Sequence, residues 1–444
     1  VRAALLLLAG CYHGASELSC KIRCPDNSCP SGLTCVAGYC TSGEDCAPDG
    51  GMACGGVGQA CCATPPACVD NGYCVAGQCQ PGCVIDVALG RWHSCVVEHD
   101  GTVWCAGDNT GQQIGSGSAS STYVQISDST GLITDATAAV AADVHSCAIR
   151  AGGTVWCWGT GGDGQLGNNS FNSSATAVQV VKAGLGALDG VVELAAANRF
   201  VCARDSAGAV WCWGNNGYGQ LGDGSFTGRG FAAMAGVSNA TSIGAGDSHA
   251  CALDSSSNVW CWGRNGNGQV GNNTTVDQTT PQQVATATTL AVGAFHTCAV
   301  LADSSMQCWG ANTRRWLGTG GNRTTSVPVP EPVVVAAAGA SYKGAIAATA
   351  GAVTCAITSS NHVDCWADDV HGQAGNGGAA YPEPVLAGKT ALSSIDKLSA
   401  HYAHVCAHHT DGRIVCWGRN AEGEFGTGET ENHGEPVPLG ATCQ

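Results

Sequence analysis

The side chains of this chain best suited to chemistry are its 29 cysteines and 13 histidines. Fourteen of the cysteines form seven pairs, with ten residues from the first member to the second. They are Cys95 with Cys105, Cys147 with Cys157, Cys202 with Cys212, Cys251 with Cys261, Cys298 with Cys308, Cys355 with Cys365 and Cys406 with Cys416. Two thiols at that spacing can cross-link, remain paired thiols or contribute to a zinc site. Zinc needs four ligands, and a two-thiol unit with no regular second pair supplies half of them. A histidine stands two residues before the first cysteine at His93, His145, His249, His296 and His404, with Phe200 and Val353 in the other two copies. A ring of imidazoles could bind a metal. A structural hydrogen bond repeated in each unit fits better, because Phe and Val would break a metal ring without breaking a repeat. No metal and no cofactor are expected.

The elements that carry these residues follow from the spacing. Successive first cysteines lie 52, 55, 49, 47, 57 and 51 residues apart, a period that belongs to propellers and solenoids. In the fourth copy, His249-Ala-Cys-Ala-Leu-Asp-Ser-Ser-Ser-Asn-Val-Trp-Cys-Trp-Gly263, apolar residues alternate on both sides of a short polar break, which predicts a β-hairpin. In the first copy the break is His99-Asp100-Gly101, a three-residue loop whose glycine suits a left-handed bulge position. Gly153, Gly208, Gly412 and Asn361 hold the same place; Ser257 and Ser304 fit it poorly, so those two turns are expected to differ. Such a loop sets Glu98 opposite Thr102 and therefore Cys95 opposite Cys105. Seven cross-strand disulfides are expected, each contributing roughly 2–3 kcal/mol less any strain. Tryptophans flank the second cysteines (Trp156 and Trp158, Trp211 and Trp213, Trp260 and Trp262, Trp309, Trp366, Trp417) and point to the other face of each sheet. Packing between neighbouring units explains them better than a sugar-binding stripe.

Glycine-rich turns follow each hairpin: Gly164-Gln165-Leu166-Gly167, Gly219-Gln220-Leu221-Gly222, Gly268-Gln269-Val270-Gly271 and Gly372-Gln373-Ala374-Gly375, with weaker versions at Gln113-Ile114-Gly115, Trp316-Leu317-Gly318 and Glu424-Phe425-Gly426. No Lys-Ser/Thr follows them, so they are turns rather than phosphate cradles. His-x-Cys-Ala-Leu, Val-x-x-Trp-Gly and Gly-Gln-Leu-Gly at this period resemble the regulator of chromosome condensation repeat across residues 84–443. The resemblance implies an all-β fold, a seven-bladed β-propeller of four-stranded blades. The first copy lacks the Pro-Val strand that precedes the later ones, and the chain ends on Glu435-Pro-Val-Pro. That C-terminal strand is expected to complete the first blade, with a disulfide between Cys83 and Cys443 locking the ring.

Residues 1–11, Val-Arg-Ala-Ala-Leu-Leu-Leu-Leu-Ala-Gly-Cys, read as a lipoprotein signal peptide with a lipobox, Cys11 being the lipid attachment site. Residues 12–82 form a cysteine-rich region of two related modules, since Cys29-x5-Cys35-x4-Cys40 and Cys68-x5-Cys74-x4-Cys79 share one spacing. The propeller is assigned to 83–444. Twelve cysteines in the modules, fourteen in the hairpins, Cys83, Cys443 and Cys11 account for all 29. The lipobox and the disulfides, with that parity in support, predict an exported protein, lipid-anchored to a bacterial cell envelope at the outer membrane or cell surface.

A formal charge of −16, with 18 basic and 34 acidic residues and no basic run, argues against nucleic acid as a partner. Guanine-nucleotide exchange, known for the eukaryotic member of the family, needs a cytosolic partner and is not expected here. The expected function is a monomeric envelope scaffold binding a protein or glycan, with the irregular stretches 116–135, 168–188, 223–240, 319–335 and 376–393 as candidate contact loops. Inhibition of an extracytoplasmic enzyme is a narrower version, since a secreted bacterial β-lactamase inhibitor protein has a similar propeller. An enzyme is not expected: Asp163, Asp223, Asp247, Asp368, Asp369 and the acidic tail Glu422, Glu424, Glu429 and Glu431 read as solvated surface. A pocket that gathers carboxylates with a histidine would reverse that reading.

Overall fold

The computed structural model describes residues 84–439, apart from 185, 320–324, 335–340, 368, 376–382, 388–389 and 410–412, together with five short strands between residues 22 and 80. The chain divides into two units, Val1–Cys83 and Val84–Gln444. In the first unit, Thr34–Val36 pairs with Tyr39–Thr41 and Tyr73–Val75 with Gln78–Gln80. The backbone register sets Cys35 opposite Cys40 and Cys74 opposite Cys79. The two segments with the same cysteine spacing thus share one hairpin.

The second unit is a seven-bladed β-propeller of antiparallel four-stranded blades. The first blade runs Val84–Leu89, His93–Glu98, Val103–Gly107 and Ser120–Gln125 from the channel outward. The seventh runs Ile395–His401, His404–His409, Ile414–Gly418 and His433–Pro438. The middle two strands of every blade form the expected hairpin, and all seven cysteine pairs are directly opposed in register. In blade order, Cys95 is bonded to Cys105, Cys147 to Cys157, Cys202 to Cys212 and Cys251 to Cys261. Cys298 is bonded to Cys308, Cys355 to Cys365 and Cys406 to Cys416. The Cα atoms of each pair are 4.0–4.1 Å apart, as close pairs in a twisted hairpin are. Cys11, Cys83 and Cys443 lie outside the described residues.

Two expectations are corrected. The C-terminal strand His433–Pro438 pairs with Ile414–Gly418 of its own hairpin and completes the seventh blade. The first blade takes its outer strand from Ser120–Gln125, immediately after its own hairpin, so among the described residues no strand is shared across the seam. The seam is joined instead by a bridge between Thr122 and Thr427, a hydrogen bond from the Ser94 hydroxyl to the Glu424 carbonyl and an ion pair between Lys397 and Asp86. The turns at Ser257 and Ser304 also do not differ from the others. Both serines take left-handed φ, 64° and 62°, beside 80° at Gly101 and Gly208. Each donates its N–H to the residue three before it, at 3.0 and 2.9 Å, as Gly101 does to Glu98 at 2.9 Å. A slip of register would flip the cysteines and tryptophans to the wrong faces, so the register prevails over the local preference of serine.

The innermost strands surround a central channel of about 470 Å³ lined largely by small residues such as Ala88, Ala139, Ala141, Ala245, Ala291 and Ala350. The turns between first and second strands and the loops between third and fourth strands share one face, here the turn face. The disulfide hairpins and the connectors between blades share the other, the hairpin face.

Because L-residues are strained at these turn positions, Ser257→Gly and Ser304→Gly should each stabilise the fold by about 1 kcal/mol. Equilibrium denaturation in urea checks this, and an unchanged or lower midpoint would show that the serines carry no strain.

Candidate interaction site at the channel mouth

The site is held by the contacts between blades. One residue beyond the second cysteine, Trp158, Trp213, Trp262, Trp309, Trp366 and Trp417 are fully buried. Each indole N–H donates to the main-chain carbonyl at the second position of the preceding blade's glycine-rich turn. The acceptors are Gln113 (2.9 Å), Gln165 (2.9 Å), Gln220 (2.8 Å), Gln269 (3.0 Å), Trp316 (2.9 Å) and Gln373 (3.0 Å). The last glycine of the turn lies flat against that indole: a β-carbon on Gly222, at φ 69°, would sit 2.8 Å from the Trp262 ring nitrogen. The turn is glycine-rich because a tryptophan occupies the space a side chain would need. Trp104, Trp156, Trp211 and Trp260 lie farther out and are half-buried, with Trp156 under Arg150 and Trp211 under Lys182. At the seam the first blade has Ala106 in place of a tryptophan. Tyr123 from its outer strand fills the gap against Gly426, with its hydroxyl 3.0 Å from that of Ser94. Burial raises the ionisation of that phenol far above its usual range.

The histidine series is structural, and it is uneven. His93, His249 and His296 each place Nε2 against a hydroxyl of the next blade, Ser146 at 2.7 Å, Thr297 at 3.0 Å and Thr354 at 2.8 Å. Those hydroxyls donate onward to the carbonyls of Gln113, Gln269 and Trp316 at 3.1, 3.1 and 2.7 Å. Each of the three has a glycine three residues earlier, and a β-carbon on Gly90 would collide with the His93 ring. His145 and His404 follow Ala142 and His401 instead, and both of their ring nitrogens are buried without a partner. Burial drives His145, His249, His296 and His404 down to about 3, so all four are neutral in the folded protein. Among the described residues no group of three His, Cys, Asp or Glu side chains is placed to hold a metal ion.

On the turn face, this framework presents a cluster at the channel mouth. The Arg91 guanidinium stacks on Trp92 at 4.8 Å and on Tyr402 at 4.2 Å, and Arg419 covers Trp92 at 4.2 Å. The two aromatic rings are 5.4 Å apart. Arg91 is tied to Asp143 at 3.1 Å, and Arg419 to Glu422 at 3.0 Å and to Glu424. Asp247 lines the channel beside them. Burial and then the nearby Asp143 charge push its carboxyl up to about 7, against the pull of Arg91 and Arg264. His401 also lines the channel, and burial lowers its imidazole while Asp143 works in the opposite direction. Farther out on the same face Phe171, Tyr218, Phe226, Val276 and Val370 are exposed on the loops between third and fourth strands.

Several carboxylates read as solvated surface turn out otherwise. Asp247 belongs to the mouth. Glu424 is fully buried in the place that glutamine holds in other turns, paired with Arg419. Asp369 is half-buried and accepts the Ala374 N–H at 2.7 Å, the bond that Asn216 makes to Leu221 in another blade. Asp223 pairs with Arg229 at 2.6 Å and Asp163 with Arg199 at 3.3 Å. The irregular stretches each contain the fourth strand of a blade, such as Ser174–Gln179 in 168–188 and Arg229–Met234 in 223–240, so their ends lie on opposite faces. Arg91, Trp92, Asp143, His401, Tyr402 and Arg419 were missed. A signal was present: the column two residues before the histidine series reads Arg91, Asp143, Asn198, Asp247, Ala294, Gly351 and Tyr402.

A ring of seven disulfide-bonded, four-stranded blades around a small channel defines the class. The model of the RCC1-like domain matches residues 51–385, and the chain belongs to that family. Human and mouse E3 ubiquitin-protein ligase HERC2 are each 28% identical over 149 residues, 32% of this chain and 3% of theirs. The chain therefore spans a small fraction of those relatives. Human WBSCR16 superposes with a TM-score of 0.64 at 19% identity, covering 76% of this chain and 93% of its own. Prp20p from Saccharomyces cerevisiae gives 0.51 at 18%, covering 80% and 76%. At such identities the likeness is one of fold.

Two results should follow. Gly222→Ala should cost more than about 2 kcal/mol, since both the left-handed backbone and the Trp262 indole oppose it; a loss below about 0.5 kcal/mol in urea denaturation would contradict the wedge. The buried histidines take up protons only on unfolding, where they titrate near 6.5. Their contribution is full above that pH and is lost as pH falls toward 3. Since Phe200 already stands at this position with an alanine three residues before it, His145→Phe should fold. It should reduce the loss of stability between pH 7.5 and 4.5 by roughly 2 kcal/mol; an unchanged pH slope would contradict burial of a neutral imidazole.

Proposed function

We propose that this protein is an exported, lipid-anchored RCC1-like propeller that binds a protein partner on its turn face. The observation that carries the reading is the stack of Arg91, Trp92, Tyr402 and Arg419 at the channel mouth. Arginine, tryptophan and tyrosine dominate the energetics of protein interfaces, and these four are already held in place by Asp143, Glu422 and each other. The exposed loop residues Phe171, Tyr218, Phe226, Val276 and Val370 extend the surface on the same side. The net charge of −16 favours a basic partner and disfavours nucleic acid. Prp20p, whose structure is described together with its binding to Gsp1p and histones, supports protein binding as a use of this fold. Seven buried disulfides support an oxidising compartment, and the lipobox ending at Cys11 supports attachment through a lipid. Glycan binding on the same face is the alternative ligand class.

One observation favours a second reading. Asp143, Asp247 and His401 gather at the mouth, and a carboxyl poised near neutral pH is suited to general acid–base work. On that reading Asp247 transfers the proton and the surrounding arginines hold an anionic substrate.

Capture from envelope extracts by the intact chain separates these. A saturable protein partner whose retention falls about tenfold with Trp92→Ala supports the scaffold. Equal retention by the variant contradicts it, and retention of glycan alone favours the alternative. Substrate turnover abolished by Asp247→Asn, with no partner captured, would establish the enzyme reading. For the anchor, Cys11→Ser should remove incorporation of labelled fatty acid and release the protein from membranes; retained label would contradict it.

A further inference from the structure

The innermost strand of each blade pairs on one side only, with the second strand of its own blade. Its other edge faces the channel, so main-chain N–H and C=O groups ring the channel along its length. Near the hairpin-face end the charged side chains are already matched. Asp86 pairs with Lys397 and accepts the Ala139 N–H at 3.0 Å. Glu193 accepts the Arg204 Nε–H at 2.7 Å and the Ile243 N–H at 3.2 Å.

The turn-face end differs. The turns that ring it, 90–92, 142–144, 198–199, 246–248, 293–295, 351–353 and 402–403, all belong to the described residues. One residue from each, in ring order, is Arg91, Asp143, Asn198, Asp247, Ala294, Gly351 and Tyr402. Arg91 is bound to Asp143 and lies over Tyr402, and Trp92 is covered by both Arg91 and Arg419, so the aromatic faces here are taken. Asp247 and His401 both line the channel, and neither side chain has a hydrogen-bond partner among the described residues. The His401 Nδ1 is buried in that unpartnered state. Arg91 and Arg264 act on Asp247 only at a distance, with no ion pair to it. Burial, reinforced by Asp143, pushes its carboxyl up to about 7, as befits an acid held without a matching cation. Beside Asp247, Ala294 and Gly351 put the least side chain into the ring.

Resting on the reading that a protein partner binds the turn face, we propose that this mouth receives the primary ammonium of a lysine side chain of that partner, with Asp247 as its counter-ion. Charge selects a cation: the channel is lined by Asp86, Glu193 and Asp247 against Lys397 alone, and burial keeps His401 neutral. Shape and hydrogen bonding select lysine. Its ammonium is a compact charge on a flexible four-carbon stem, which suits walls made by Ala141, Ala245 and Ala350. The three N–H donors match a carboxylate and the unpaired carbonyls of the innermost strands. A guanidinium or a methylated ammonium favours aromatic faces, and those at this mouth are covered by Arg91 and Arg419. Asp247 thereby acts as an ion-pair partner and gains the counter-charge its surroundings lack.

The probe is the synthetic peptide acetyl-Gly-Ser-Lys-Ser-Gly-amide, isotope-labelled at the lysine Cε and titrated with the intact chain above neutral pH, where Asp247 is ionised. Its Cε resonance should shift and broaden saturably. Replacing the lysine by norleucine or acetyl-lysine, or Asp247→Asn in the protein, should each weaken binding about tenfold or more. Asp247 makes no side-chain hydrogen bond, so its substitution should leave the fold intact, and the peptide variants test the same contact without touching the protein. Glu429→Gln, which removes an exposed carboxylate from the same face, should leave binding unchanged. Absence of saturable binding overturns the proposal. So does equal binding by Asp247→Asn, by the acetylated peptide or by an arginine peptide, and so does an equal loss with Glu429→Gln. A captured protein partner retained undiminished by Asp247→Asn would leave turn-face binding standing and overturn the lysine assignment alone. Peptide binding that depends on Asp247, with no protein partner captured, would overturn the partner as the source of the ammonium.

Discussion

One constraint underlies the whole ring: in every blade two cysteines must face each other across the central hairpin. Once Cys95 stands opposite Cys105, the alternation of side chains along a strand leaves no freedom for their neighbours. The residue after the second cysteine must point into the preceding blade, where it is tryptophan in six blades. The residue two before the first cysteine must lie beside the end of the innermost strand, where His93, His249 and His296 reach the next blade's hydroxyl. A turn in the preceding blade must then leave room for an indole and offer it a carbonyl, and the glycine-rich turn does both. Disulfide, indole and turn are three consequences of one register.

That arrangement explains how a chain with 6% aromatic residues and an alanine-lined channel holds a large ring. Each interface concentrates its burial in one tryptophan and a few branched side chains, and each hairpin is tied covalently at its midpoint. The seam shows what is required by how it departs from the pattern. Tyr123 from the first blade's own outer strand stands where the other blades have an indole. The Glu424 carbonyl accepts from Ser94 in place of a tryptophan, and Lys397 pairs with Asp86 across the seam. The channel-mouth cluster straddles this same seam, with Arg91 and Trp92 from the first blade against Tyr402 and Arg419 from the seventh.

The parts legible in the sequence were those set by local spacing. Cysteine separation, the glycine at Gly101 and, in six blades, the tryptophan that follows the second cysteine determine register, and register determines the fold. The second cysteines Cys157, Cys212, Cys261, Cys308, Cys365 and Cys416 all fall where the first hairpin's count places Cys105, whatever residue closes the turn. The histidine hydrogen bond was legible in kind, but its failure at His145 and His404 depends on Ala142, His401 and a hydroxyl one blade away. Ser257 and Ser304 were misjudged because the preference of a single turn residue is weaker than a whole hairpin's register. Glu435-Pro-Val-Pro resembled a missing first-blade strand in composition alone, while Ser120–Gln125 already supplied that strand without the proline. Asp143 and Asp247 come from different blades, and nothing in a linear reading brings them beside His401 and Arg91. Glu424 looked like part of an acidic surface because its arginine partner is recognisable only once the turn is folded.

The most direct test of this account is the disulfide map of the protein purified from its native compartment, obtained by proteolysis without reduction and mass spectrometry. The account requires seven linkages, each joining cysteines ten residues apart within one hairpin. Free thiols at these positions, or linkages between different blades, would contradict both the register on which the ring depends and the exported setting proposed for it.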